Sequence, residues 1–279
     1  MGAVREPRAQ RQKFGLKMLR SGFTRALALV LALSATCAGA QENAQQKTQQ
    51  DPARPPVGGV NSPQGSMIFY AAHGGDEACG AHCSDWIAAE GVVQWDTFKR
   101  LFAFLDRFGA HKAPVVLNVW GGGDIKVATA LGRIIRQRGL DTSAGATVVA
   151  GCVKATDADC FALKRGGQPL DAKIDGTFVE CDLVCVLVLA GGVHRSLPAD
   201  AKVIIGGMDI RNRLAPNVAP EHDQGLHTYY DEQVELYLSQ MGVDPQLVAI
   251  MERDSKTHRA TPLTNSDWLK LGLVTGLAL

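Results

Sequence analysis

The stretch Ala113-Pro-Val-Val-Leu-Asn-Val119 limits the possible folds more than any other part of this chain. It is a continuous apolar run of strand length, the kind that is buried on both faces, and such strands belong to covered, mostly parallel sheets. Gly121, Gly122 and Gly123 follow, and a helical apolar pattern then runs over residues 124–138. Further strand patterns lie at residues 67–72, 85–90, 147–150 and 201–205. Helical spacing is read over residues 96–108, with Gly109 ending it, and over 180–189, 227–240 and 245–253. A last helix, capped by Thr264 or Asn265, runs through Lys270. Residues 154–176 read as a polar stretch. Strands alternating with helices predict an α/β fold with a mostly parallel sheet covered on both faces.

The amino terminus follows a different logic. Arg5, Arg8, Arg11, Lys13, Lys17, Arg20 and Arg25 face a single acid, Glu6, within the first 25 residues. The run Ala26-Leu-Ala-Leu-Val-Leu-Ala-Leu-Ser-Ala35 and the small residues Ala38-Gly39-Ala40 complete the pattern of a signal peptide, with cleavage expected after Ala40. The apolar run is shorter than the roughly 20 residues a membrane helix needs, so no stable span is expected after cleavage. Met1 and Met18 are both reasonable starts, and Cys37 is a poor lipoprotein site because Thr36 precedes it. Residues 41–66 are rich in Gln, Pro and Gly and read as a flexible linker. Residues 67–279 are expected to form one domain.

The basic leader carries +6 of the formal net charge of +1, which leaves −5 on the rest. A mildly acidic remainder shows no nucleic-acid footprint. No P-loop or G-x-G-x-x-G cofactor motif occurs, so no cofactor is expected. The six cysteines beyond the leader are Cys79, Cys83, Cys152, Cys160, Cys181 and Cys185. An even number in an exported chain favours disulfides; the pairing stays open among 15 connectivities.

Three segments carry the chemistry. The turn Val119-Trp-Gly-Gly-Gly-Asp-Ile125 sets backbone N–H groups at a helix start, where they can stabilise an oxyanion. Glycine is equally suited to such a turn on steric grounds alone. The second segment is Cys181-Asp-Leu-Val-Cys-Val-Leu-Val-Leu-Ala-Gly-Gly192. The third is Leu197-Pro-Ala-Asp-Ala-Lys-Val-Ile-Ile-Gly-Gly207, and the chain closes with Leu269-Lys-Leu-Gly-Leu-Val-Thr275.

In order and spacing these segments resemble the Clp-protease/crotonase-like superfamily, in particular bacterial exported proteins related to the Clp proteolytic subunit, over residues 67–275. The resemblance implies a ClpP/crotonase-like spiral of mostly parallel strands with covering helices, a peptidase ancestry, and self-association into rings or trimers. It maps the oxyanion hole onto Gly122 and Gly123. It maps the nucleophilic serine onto Leu183 and the histidine base onto Gly206, or Ile205 with a shift of one. Neither Leu nor Gly can serve, and a serine hydrolase needs both groups within hydrogen-bond reach. The expectation is therefore a non-catalytic relative that binds a peptide or protein ligand, periplasmic or secreted. Two alternatives stand beside it: a hydrolase with another nucleophile, and a purely structural or interaction protein.

Other residues could supply the missing groups. Cys185 with His194 is a chemically possible pair, although a disulfide is the blander fate of Cys185. Ser196 lies two residues from His194, a spacing that seldom brings side chains together on a helix. His73, Cys79, His82 and Cys83 form a cluster of metal-ligand types, but their spacing matches no common zinc motif. Trp86 and Trp120 read as packing residues, and Asp124 as a helix start. His222 and His227 read as surface residues on a polar loop; His111 and His258 suggest nothing.

Overall fold

A computed structural model describes residues 65–109, 112–207 and 220–276, the side chains of residues 220–223 and 255 excepted. The leader, the cleavage site, most of the linker and His111 lie outside the described residues, as does the side chain of His222. In chain order the strands are β1 (Ile68–His73), β2 (Asp85–Val93), β3 (Val115–Gly123), β4 (Thr142–Ala144), β5 (Ala146–Val149), β6 (Leu170–Asp175), β7 (Glu180–Asp182), β8 (Arg195–Ser196), β9 (Lys202–Ile205) and β10 (Thr261–Leu263). The helices are α1 (Thr97–Phe108), α2 (Ile125–Gln137), α3 (Asp157–Lys164), α4 (Leu183–Leu189), α5 (Pro220–Met241), α6 (Gln246–Thr257) and α7 (Asn265–Lys270).

The fold is α/β. A seven-stranded sheet runs β5-β6-β1-β2-β3-β4-β8, and a second, three-stranded sheet runs β10-β9-β7. Five of the eight strand pairings are parallel; β1–β2, β5–β6 and β9–β10 are antiparallel. β3 is central because its side chains have apolar ground on both faces. Val115, Leu117 and Val119 enter the main core with residues of α1, α2 and α4, while Val116 enters a smaller cluster with Tyr70, Trp86, Ala88, Val149 and Leu170.

Covering differs between those two faces. Helices α1, α2 and α4 cover the main core, while α3 reaches the other face through Lys164, which pairs with Glu90 and lies over the Tyr70 ring. The other face is closed by β5, which pairs with β6 at the sheet edge yet touches β2 and β3. The buried Trp86 indole donates to Thr147 Oγ1 at 3.0 Å and fixes that return. The sheet is thus covered on both faces, as expected, with its own edge strand forming much of the cover on one side. The polar stretch 154–176 contains α3 and β6. No residue of α3 is buried, so periodicity left no apolar signal, and the disulfide Cys152–Cys160 ties its first turn back to a 3-10 turn at Ala150–Cys152.

Gly65 and Ser66, read as linker, belong with the fold: Val92 N–H donates to the Gly65 carbonyl at 2.8 Å, and Ser66 bridges to Val92. Among the described residues no helix is long and apolar enough to cross a membrane.

Packing behind β3 depends on two close approaches. A Cβ at Gly191 would stand 2.3 Å from the Gly132 Cα, and one at Gly132 would stand 1.7 Å from the Tyr237 hydroxyl. Helices α2, α4 and α5 therefore meet through bare backbone. Tyr237 Oη donates to the Leu187 carbonyl at 2.6 Å there, and burial pushes its phenol well above the ordinary value.

Candidate functional site

The three sequence segments converge at the carboxyl ends of β3, β7 and β9. Asp182 pairs with Ile204 in the parallel register of β7 and β9, so Leu183 and Gly206 follow the last paired residues of neighbouring strands. The glycine turn reaches the same place. Gly122 N–H donates to Asp182 Oδ2 at 2.5 Å. Gly121 and Gly122 hold φ of 49° and 65°, a left-handed backbone that favours glycine. Gly123 is needed for a different reason: a Cβ there would lie 2.7 Å from the Val93 carbonyl oxygen.

Asp182 was not anticipated as a site residue, and it organises this edge. Its Oδ1 accepts from Cys185 N–H at 2.9 Å, capping α4, while its other oxygen takes the Gly122 amide. One carboxylate thus satisfies the first turn of α4 and occupies the amide mapped onto an oxyanion hole. The signal was legible as an Asp placed just before an apolar helix; its reach to Gly122, 60 residues away, was not. Asp124 is the N-cap of α2, accepting from Val127 N–H at 3.1 Å, as expected of an acid at a helix start.

Leu183 is buried at 6% exposure and begins α4. A disulfide joins Cys181 to Cys185 around it, with both cysteines at 1% exposure or less. Among the described residues no heavy atom lies within 4 Å of where a Gly206 Cβ would point. Ile205, the alternative position, is fully buried. Trp86 is buried as expected. Trp120 is half-exposed, its ring 3.6 Å from where a Gly65 Cβ would stand, so it packs at the surface and not in the core.

The proposed substitutes do not meet. Cys185 is in a buried disulfide and holds no thiol. His194 lies at the opposite, amino-terminal edge of the large sheet, just before β8, where its Nδ1 and backbone N–H both face Asp141 Oδ1 at 2.9 Å. Ser196 lies in β8, a two-residue strand and not a helix, and His194 precedes that strand with its Nδ1 on Asp141. His73 contacts Asp85 through Nδ1 at 2.9 Å. Cys79 and Cys83 are joined to each other, which removes both thiolates from the suspected metal cluster. Among the described residues no group of three or more His, Cys, Asp or Glu side chains is placed to hold a metal ion. His227 lies in helix α5 and not on a loop, and His258 ends α6 in left-handed backbone.

That amino-terminal edge also contains a cavity of about 640 Å³, bordered by Cys79, His82, Cys83, Lys112, Asp141 and His194 among others. Beneath it lies Arg195, buried, which donates to the carbonyls of Ala190, Gly192, Met241 and Gly272. Arg136 adds bonds to Gly191, Ala190 and Met241. The two cations answer the carbonyl ends of α4 and α5. Burial first, then repulsion from Arg136, holds the Arg195 guanidinium below its ordinary value.

No family model and no curated protein matches this sequence. Solved structures similar to it include a mutant of ClpP1 from Listeria monocytogenes, at 9% identity and TM-score 0.41, covering 67% of this chain and 88% of that one. A peptidase from Plasmodium falciparum is similar at 7% identity and TM-score 0.42, covering 67% of this chain and 93% of that one. At such identity the roles of residues rest on this chain's own geometry.

Proposed function

We propose that this chain is an exported, non-catalytic relative of the Clp proteolytic subunit, in which residues 1–40 are a cleaved signal, 41–66 mainly a linker, and the remainder one domain. The observation that carries the reading is Asp182. Its carboxylate occupies the Gly122 amide at the place where an acyl-transfer enzyme would stabilise its oxyanion, and the next residue, at the nucleophile position, is a buried leucine. Three disulfides support export, since cystines persist in oxidising compartments such as the periplasm or outside the cell. The ligand is proposed to be a peptide or protein segment held near the exposed turn at Gly121 and Gly122, and self-association is carried over from the resemblance alone.

A fluorophosphonate probe tests the reading. No labelling of the purified protein is expected, and stoichiometric labelling would overturn it. The double variant Leu183→Ser with Gly206→His restores both groups. It is expected to remain unreactive while Asp182 holds the amide, and to gain measurable labelling when Asp182→Ala is added.

A further inference from the structure

The amino-terminal edge offers chemistry that the carboxyl-edge reading does not use. Residues 73–85 contain no buried residue, so this loop contributes little to the core. Within it the backbone is held in unfavourable conformations. Glu77 and His82 take φ of 63° and 59°, left-handed values that cost a non-glycine residue on the order of 1 kcal/mol or more. The Cys79–Cys83 disulfide closes this loop. Both sulfurs sit 3.5 Å from the Asp85 carbonyl oxygen, and both cysteines are half-buried on the wall of the 640 Å³ cavity.

The other two disulfides differ in kind. Cys181–Cys185 is sealed in the core. Cys152–Cys160 is half-buried but borders no part of this cavity, and it anchors a helix without any buried residue. Of the three disulfides only Cys79–Cys83 combines the cavity and a strained loop with a lysine, Lys112, on the cavity wall. Lys112 and His82 line the space, and His194 lies across from them with its Nδ1 turned to Asp141. Thiol–disulfide exchange needs room for an incoming thiolate and favours a setting that stabilises the departing one, which nearby cations supply.

We propose that Cys79–Cys83 is a thiol–disulfide exchange site, with the cavity admitting a dithiol donor. One thiolate of the donor attacks Sγ of one cysteine. The Sγ–Sγ bond breaks, a mixed disulfide forms, and the other cysteine leaves as a thiolate. The donor's second thiol loses its proton to solvent and attacks its own first sulfur. This releases the donor as a disulfide and the second cysteine as a thiolate. The protein gains two electrons and the donor loses two. The inference stands independently of whether the carboxyl edge is catalytic.

The test uses the full oxidised protein without denaturant. It is exposed to graded dithiothreitol, quenched with N-ethylmaleimide, and mapped by peptide mass, with tryptophan fluorescence followed in parallel. Cys79 and Cys83 are expected to label at least ten times faster than Cys152 and Cys160, with Cys181 and Cys185 unlabelled and the fluorescence unchanged. Equal rates, earlier opening of Cys152–Cys160, or opening only with unfolding would overturn the proposal. Lys112 is exposed, so Lys112→Ala leaves the fold intact and is expected to slow Cys79–Cys83 opening at least threefold. An unchanged rate removes the cavity from the reaction and the proposal with it.

Discussion

The two edges of the large sheet make opposite use of their polar groups. At the carboxyl edge the chain satisfies itself. Asp182 binds both the α4 cap and the Gly122 amide, Leu183 is buried, and a core disulfide encloses the turn. At the amino edge, side chains with reactive chemistry stand around open space. His194 and Asp141 pair with the histidine side chain 77% exposed, and a half-buried disulfide forms part of the cavity wall. At the carboxyl edge the glycine turn keeps its left-handed backbone while a side chain of the same chain takes its amide. Availability for chemistry is then decided by which polar groups the chain leaves unfilled.

The largest effect should come from the packing that holds the closed edge in place. Gly191→Ala forces a methyl to 2.3 Å from the Gly132 backbone, which cannot swing aside as a side chain would. A loss of about 3 kcal/mol is expected, as for severe overpacking, read from the urea midpoint. A loss under 1 kcal/mol would show that α2 and α4 can separate freely, and the closed edge would not be rigid. Next is Asp182→Ala. Removing the cap should cost about 1–2 kcal/mol, and Asp182→Asn should recover most of it. Recovery would assign the loss to capping; none would assign it to the charge facing Gly122. Asp141→Ala, at the open edge, should cost less than about 1 kcal/mol, because the His194 pair is solvent-screened. If it costs as much as Asp182→Ala, the contrast between the edges fails.

Much of the closed edge was legible in the sequence because it is written in local pattern. The apolar run at residues 113–119, the glycine turn and the helical spacing over residues 180–189 are each local patterns, although residues 180–182 form β7 and the helix α4 begins only at Leu183. The cap of α7 was equally local: of the two candidates Thr264 and Asn265 it is Thr264, which bonds reciprocally with Asp267. What stayed hidden depended on distance in the chain. Asp141 meets His194 across 53 residues, and Arg195 gathers carbonyls from α5 and Gly272. The short strands β4, β8 and β10 have two or three residues each, too few for a period to show. The disulfide pairing was hidden as well, although each bridge proved to join neighbouring cysteines in sequence.

The smallest expected effect concerns α7, which leads into the segment linking both regions. Gly272 accepts from Arg195, and Thr275 and Gly276 then line the open cavity. The Asp267 carboxyl lies below its ordinary value near 3.8, chiefly through the hydrogen bond from the Thr264 side chain and then through that from the Thr264 backbone. A depressed folded-state value means the carboxylate's contribution is fully present above the unfolded value and is lost as pH falls through the folded one. Thr264→Val removes the principal donor. Its urea midpoint should fall slightly relative to the parent at pH 6, and the gap should narrow below pH 3.8 as the parent loses the same bond. A gap that stays constant from pH 6 to pH 2 would mean that the charge of Asp267 does not hold α7. The anchoring of the open edge would then rest on Arg195 and the Trp268 core contact alone.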